Sequence, residues 1–397
     1  MRLLPQKTIT LRHTISPKTG GNSIGTVTST PITVEAGKSL TNSTALSAQS
    51  PQLWTIEKPV QYLVKTEVFE GSRLLDTLET NTGFRQLTFD PNTGFALNGK
   101  KMKLKGVSMH HDQGALGAKA YRDAIARQID ILKKMGANTI RITHNPASRD
   151  LIDLANQKGM LLIEEIFDGL HCTKNGNQMD YARFFNQLVP KDSKLENVTA
   201  GSTWARFDLE TTMRRDINAP SIIMWSLGNE IQEGTTCGID SFLSPQTNLI
   251  KWAAEIDNTR PLTRGDNAIK HNNSAINVMK SLVSTAKTSG TTGAVGANYA
   301  NGGQYDSIHR QIPGAMLYGA ETASSVNSRG VYSRTTDNRQ TADKQLTSYD
   351  SSKVNWGATA AQAWLDVIKR DFVAGTAVWT GFDYLGEPTF WNGTSPG

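Results

Sequence analysis

From about residue 104 onward, short apolar runs alternate with segments of helical period, and this alternation constrains the fold more than any other feature. LKGVSM, ANTIRIT, MLLIEEIF, SIIMWSLG, PLTRG, AVGANY, AMLYGAE and AGTAVWTGF read as strands. Helical segments separate nearly all of them, from YRDAIARQIDILKKMG through STWARFDLETTMRRDI to GATAAQAWLDVIKRDF. In the first helix Ile125, Ile129, Leu132 and Met135 recur near helical spacing, and Gly136 is placed to cap its end. Strands apolar along their whole length are buried on both faces, which is the habit of parallel sheets covered by helices. Eight such strands predict a (β/α)8 barrel. The stretch 168–200 is too irregular to assign.

The first 85 residues read differently. KTITLRH, GTVTSTPITVEAG, QYLVKTEVFEG and SRLLDTLETN are β-rich and broken by Gly, Pro, Ser and Asn, with no amphipathic helix among them. They predict an immunoglobulin-like β-sandwich over 1–85. The barrel then occupies 86–397, including lead-in hairpins over 86–103 with turns at Asn92-Thr93-Gly94 and Asn98-Gly99. Lys100, Lys101, Lys103 and Lys105 read as a solvated hairpin face. Gly21-Asn22-Ser23-Ile24-Gly25 has the form of a nucleophile elbow, but it lies in a Thr/Ser/Gly-rich loop rather than between a strand and a helix.

Composition narrows the functional classes. The chain has 397 residues, 38% of them hydrophobic, enough for a packed core. It holds no apolar run of ~18 residues, so no spanning helix is expected, and its start, MRLLPQKTIT, has no apolar signal core. A formal charge of +6, spread along the chain, does not point to nucleic acid. Two cysteines, Cys172 and Cys237, cannot build a disulfide framework or a Cys-rich zinc site.

In a barrel of this kind the active site lies at the C-terminal ends of the strands. Those ends carry His110, His111 and Asp112; Arg141, His144 and Asn145; Glu164, Glu165, Asp168 and His171; Asn229 and Glu230; Asn298 and Tyr299; Glu321; and Trp379, with Asp383 and Glu387 beyond. Four of the seven histidines fall after the first three strands. Glu230 and Glu321 end the fourth and seventh strands, which face one another across a barrel. Two carboxyl groups there can flank a scissile glycosidic bond. One protonates the leaving oxygen and the other attacks the anomeric carbon, with a separation of ~5 Å in a retaining enzyme. Arg141 is placed to be the donor that the ionised nucleophile needs.

WSLGNE resembles the acid/base motif of glycoside hydrolase family 2, which includes β-galactosidases, β-glucuronidases and β-mannosidases. KGVSMHHDQGALG, GANTIRITHNPA, LLIEEIFDGLH, PSIIMWSLGNEI, YGAETAS and GTAVWTGFDYLGEP resemble segments of that family, in family order, and the bacterial β-galactosidase branch is the most similar. The resemblance implies Glu230 as acid/base and Glu321 as nucleophile. It implies Asn229 as the partner of the sugar 2-hydroxyl, and His144 and His171 as sugar-hydroxyl or transition-state contacts. Tyr299 would bond the nucleophile, Trp379 would form the sugar platform, and Asp383, Glu387 and Trp391 would line the aglycone side. No cofactor and no metal are expected. In particular, no histidine occurs between 172 and 270, where some β-galactosidases place a Mg2+ ligand. Where some relatives carry a histidine three residues after the nucleophile, this chain has Ser324.

The resemblance further implies a galactose-containing glycan as substrate. β-Glucuronidases of the family hold the carboxylate with an Asn-x-Lys motif, whereas this chain reads Asn392-Gly393-Thr394. The family's jelly-roll sugar-binding domain and the helix after the eighth strand have no counterpart here. The chain is therefore expected to be a fragment, with packing against the missing domain or a second copy as its protein contact. A retaining exo-acting β-galactosidase is the first reading. A β-glucuronidase, a β-mannosidase or a catalytically impaired glycan-binding fragment are the alternatives.

Overall fold

The computed structural model describes residues 6–177, 179–196, 198–335 and 344–384. They form two compact units, one built on the residues up to Gln86 and one on those from Leu87 onward.

The first unit is an antiparallel β-sandwich. Strand β1 (Lys7–Pro17) is its spine. Residues Lys7 to Ile9 pair with β3 (Ile32–Val34), and from Arg12 on β1 lies between β2 (Gly25–Thr28) and β4 (Tyr62–Glu70). β5 (Arg73–Thr82) pairs with β4. The β-branched and aromatic content of these segments suits such pleated, half-buried surfaces.

The second unit opens with a small meander, β6 (Leu87–Asp90), β7 (Gly94–Leu97) and β8 (Lys100–Met102). Its turns are where the sequence put them. Asp90 Oδ1 accepts from the backbone of Asn92 and Thr93 at 2.9 and 2.8 Å, and Asn98 and Gly99 both take positive φ, 52° and 77°, as a two-residue hairpin loop requires. The lysine run is not wholly solvated, as the sequence suggested. Lys103 turns inward and donates to the carbonyls of Arg370, Asp371 and Val373.

The barrel follows: β9 (Leu104–Met109), α1 (Arg122–Met135), β10 (Thr139–Ile142), α2 (Arg149–Lys158), β11 (Leu161–Glu165), α3 (Ala182–Phe185), α4 (Trp204–Asp216), β12 (Ile222–Asn229), α5 (Leu243–Ile256), β13 (Leu262–Asp266), α6 (Asn273–Thr288), β14 (Ala294–Asn298), α7 (Gly302–Gln311), β15 (Met316–Ala323), α8 (Ala360–Ile368) and β16 (Val373–Trp379). The eight strands β9 to β16 close in order, every pairing parallel, with β16 beside β9. β10 to β15 are buried at every position, which is why they read as apolar runs. Cap residues set several helices: Thr203, Asn272 and Thr359 each accept a backbone N–H at a helix start, and Asn301 forms a reciprocal box with Gln304.

The irregular stretch after β11 holds the one-turn α3 and loops. Cys172 within it is bonded to Cys237, 65 residues away, in the loop after β12. Neither spacing nor composition forecast this pair.

Candidate active site

Strand alternation decides which side chains enter the barrel. In β11 the consecutive Glu164 and Glu165 point to opposite faces. Glu164 points outward, accepting from Ala147 N and lying 3.5 Å from Arg215. Burial, and then the nearby Asp216, pushes its pKa well above the usual carboxylate range. Glu165 points inward and meets Arg141 of β10.

Arg141 is fully buried and organises the barrel mouth. Its Nη1 donates to Glu321 Oε1 at 2.8 Å, and its Nη2 to Glu165 Oε2 at 2.7 Å and Asn229 Oδ1 at 2.9 Å. Burial works against its charge, but the carboxylates of Glu165 and Glu321 outweigh it and raise its pKa. The planar fork of arginine suits this task, since its N–H donors lie in one plane on a rigid frame and match carboxylate geometry, whereas a lysine ammonium is a compact point charge on a flexible stem. Close packing also explains Gly265 in β13: a Cβ there would sit 2.9 Å from Arg141 Nη2, Asn229 Oδ1 and Asn298 Oδ1.

His144 Nδ1 lies 2.6 Å from Glu165 Oε1, and its Nε2 lies 3.8 Å from Glu321 Oε1. Burial works against its charge, while the bond to Glu165 and that group's charge outweigh it, so its pKa is raised. Its ring stacks on Trp379 at 5.5 Å and 11°. His110 packs edge-on against both rings, at 5.3 and 5.2 Å. Burial first, and then the charge of His144, push the His110 pKa down to about 4.

Glu230 sits one residue past β12, 8% exposed. Asn298 Nδ2 donates to its Oε1 at 2.8 Å. Burial, followed by a hydrogen bond and charge from Glu233, pushes its pKa up to about 8. Tyr299 donates its backbone N–H to the Glu321 carbonyl at 2.6 Å, and its phenol accepts from Ser324 Oγ at 3.3 Å. The serine that stands where some relatives carry a histidine thus pins the tyrosine. Burial, and then the charge of Glu321, raises the Tyr299 pKa. Glu230, Tyr299, Ala323 and Ser324 all adopt positive φ, between 43° and 69°. Each costs on the order of 1–3 kcal/mol, and such strain concentrates where side chains must be aimed at a site.

The structure therefore brings Arg141, His144, Asn229, Glu230, Tyr299, Glu321 and Trp379 to one rim. His171 lies apart from them. It packs on Phe242 at 5.0 Å and beside the disulfide, and its Nδ1 has no hydrogen-bond partner among the described residues. Asp383 is exposed and lines a cleft of about 380 Å³ with Asp112, Arg127 and Phe382. Glu387, Trp391 and Asn392-Gly393-Thr394 lie outside the described residues. Glu165, Asn298, His110, Glu233 and Lys174 belong to the bonded or charged surroundings of the rim, although sequence reasoning gave none of them a role. For Glu165, Asn298 and His110 the signal was present, since all three stand at strand ends.

A rim with two glutamates, one clamped to a buried arginine and the other buried beside a second carboxyl group, defines a glycosidase-type barrel. Residues 91–313 match the family described as Glycosyl hydrolases family 2, TIM barrel domain, and residues 5–85 match Glycosyl hydrolases family 2. The chain belongs to glycosyl hydrolase family 2. It is 32% identical over 394 residues to the β-galactosidase BoGH2A of Bacteroides ovatus, a match spanning 89% of this chain and 43% of that protein. It is 25% identical over 360 residues to a β-glucuronidase of Bacteroides fragilis, spanning 89% of this chain and 46% of that one. The crystal structure of a family 2 member from Bacteroides cellulosilyticus superposes with a TM-score of 0.75 at 29% identity, covering 96% of this chain and 40% of the other. The chain thus spans less than half the length of each of these relatives.

Proposed function

We propose that this chain carries the catalytic barrel of a retaining, exo-acting β-galactosidase. Glu321 is the nucleophile and Glu230 the acid/base. The observation that carries this reading is the contrast between the two environments. Glu321 faces the fixed charge of Arg141 at 2.8 Å, whereas Glu230, buried and beside Glu233, holds its proton up to about pH 8. Enzymes of this chemistry set the two roles by placing two carboxyl groups in different environments.

In the first step a Glu321 oxygen attacks the anomeric carbon. The bond from that carbon to the leaving oxygen breaks, and the Glu230 proton passes to that oxygen. In the second step the Glu230 carboxylate takes a proton from water, whose oxygen displaces Glu321 and restores the β configuration. Asn229 bonds the 2-hydroxyl, a contact that strengthens in the transition state. His144 contacts a sugar hydroxyl, Tyr299 bonds the nucleophile, Trp379 is the sugar platform, and Asp383 lines the aglycone side. The same reading divides the chain into an immunoglobulin-like sandwich over 1–85 and a barrel over 86–397, and takes packing with a further domain or a second copy as its protein contact.

The galactoside assignment is supported by BoGH2A and by Asn392-Gly393-Thr394, which offers no cation for a uronate. The similarity to β-glucuronidases favours a glucuronide as the second reading. Chromogenic β-galactoside, β-glucuronide and β-mannoside, assayed side by side on the wild type, E230Q and E321Q, separate them. Turnover of the galactoside, abolished in E321Q, is expected. NMR should show the β anomer of the sugar as first product. A first-formed α anomer overturns the retaining mechanism, and preference for glucuronide overturns the substrate.

A further inference from the structure

The loop after β12 carries Glu230 and Glu233, and the loop after β11 is fastened along it at four points. Asn229 N donates to the Asp168 carbonyl at 3.0 Å, and Asn175 N to the Gly234 carbonyl at 3.0 Å. Lys174 Nζ spans Asp168 Oδ1 at 2.8 Å and the Asn229 carbonyl at 3.1 Å, which places its charge beside Glu230. The fourth point is the Cys172–Cys237 bond, the covalent one. On its other flank the loop after β12 is held near its start, by Glu230 N to the Gly265 carbonyl and by Gln232 to Asp266. Beyond Gln232, the Asn175 bond, the disulfide and the packing of His171 on Phe242 tie it to the loop after β11 among the described residues.

We propose that the Cys172–Cys237 disulfide is the positioning device of the acid/base. It keeps the loop carrying Lys174 pressed on the loop carrying Glu230, and thiol reduction therefore weakens acid and base assistance without unfolding the barrel. The inference rests on Glu230 being the acid/base. The reduction consumes a dithiol reductant: two reductant thiols give up two electrons and two protons, forming the reductant's disulfide and the free thiols of Cys172 and Cys237. These are the only two cysteines of the sequence, so a reductant has no other disulfide to attack within the chain. Because such a bond persists in oxidising surroundings and is lost in a reducing cytosol, the clamp also ties full activity to an oxidising compartment.

The leaving group distinguishes this from a purely structural bond. A dinitrophenyl galactoside departs without a proton, while an alkyl galactoside needs one. The test treats the folded protein with a dithiol, counts two free thiols with a chromogenic thiol reagent and verifies the fold by circular dichroism. kcat/KM is then compared on both substrates, with C172S/C237S run beside it. General acid assistance contributes on the order of 10²–10⁴-fold, so partial loss should lower kcat/KM on the alkyl galactoside about tenfold or more. kcat/KM on the dinitrophenyl galactoside should hold within about twofold. On that substrate kcat and KM should fall together, because the base-assisted second step slows. Equal losses on both substrates, no loss after two thiols are counted, or free thiols before reduction would each overturn the proposal. If the oxidised protein turns over no glycoside at all, the function assigned to the site fails instead, and hydrogen exchange decides the clamp: faster exchange of amides 231–237 after reduction sustains it, and unchanged exchange overturns it.

Discussion

Asn298 Nδ2 reaches Glu230 Oε1 at 2.8 Å and Asn229 Oδ1 at 3.1 Å, so one amide from β14 aligns both residues at the end of β12. It opposes burial and Glu233, because it favours the carboxylate, as the charge of Lys174 does, while burial and Glu233 favour the acid. In N298A the Glu230 pKa should rise, and the basic limb of the kcat/KM–pH profile should move upward. The rate should fall about tenfold, within the range for a displaced general acid.

E233Q should move the same limb the other way. Glu233 raises the Glu230 pKa by its hydrogen bond and its charge, so the neutral amide lowers it. In the wild type the limb should lie near pH 8, and in E233Q below that. A shift of both variants in one direction would show that the limb does not report Glu230.

Arg141 should dominate stability as well as activity. R141M leaves Glu165 and Glu321 buried without their counter-charge. Breaking a buried pair from one side costs about 3–5 kcal/mol. Urea denaturation should show a loss of that order, with a smaller one for R141K, which keeps the charge and loses the fork. Wild-type stability in R141M would mean that the cluster relaxes or neutralises at little cost.

His110 predicts acid sensitivity. Its pKa in the folded state is about 4, against 6.5 for the free side chain, so between those values the unfolded chain binds more protons. Its contribution is complete above about pH 6.5 and is lost as pH falls toward 4. The urea midpoint should decline across that window, and less steeply in H110Q. Identical slopes in the two proteins would remove His110 as the cause.

Much of the barrel was legible because its strands are buried on both faces and its helices on one, and both patterns are written locally. The ends of those strands located Glu230, Glu321, Arg141, His144, Asn229, Tyr299 and Trp379, because a parallel barrel gathers all its C-terminal strand ends on one rim. Lys103 was misread: a lysine in a basic run looks solvated until three carbonyls from a segment about 270 residues away surround it. His171 stands at a strand end too, yet it settles against Phe242 and the disulfide.

The sequence by itself thus determined the strand–helix order, the barrel and the pair of glutamates, since each follows from local periodicity and residue type. Only the tertiary structure decided their electrostatic company. That Arg141 joins Glu165, Asn229 and Glu321, that Asn298 meets Glu230, and that Cys172 finds Cys237 depend on strand register and closure of the barrel. These bring together side chains 24 to 180 residues apart, and no local pattern in the chain records such meetings.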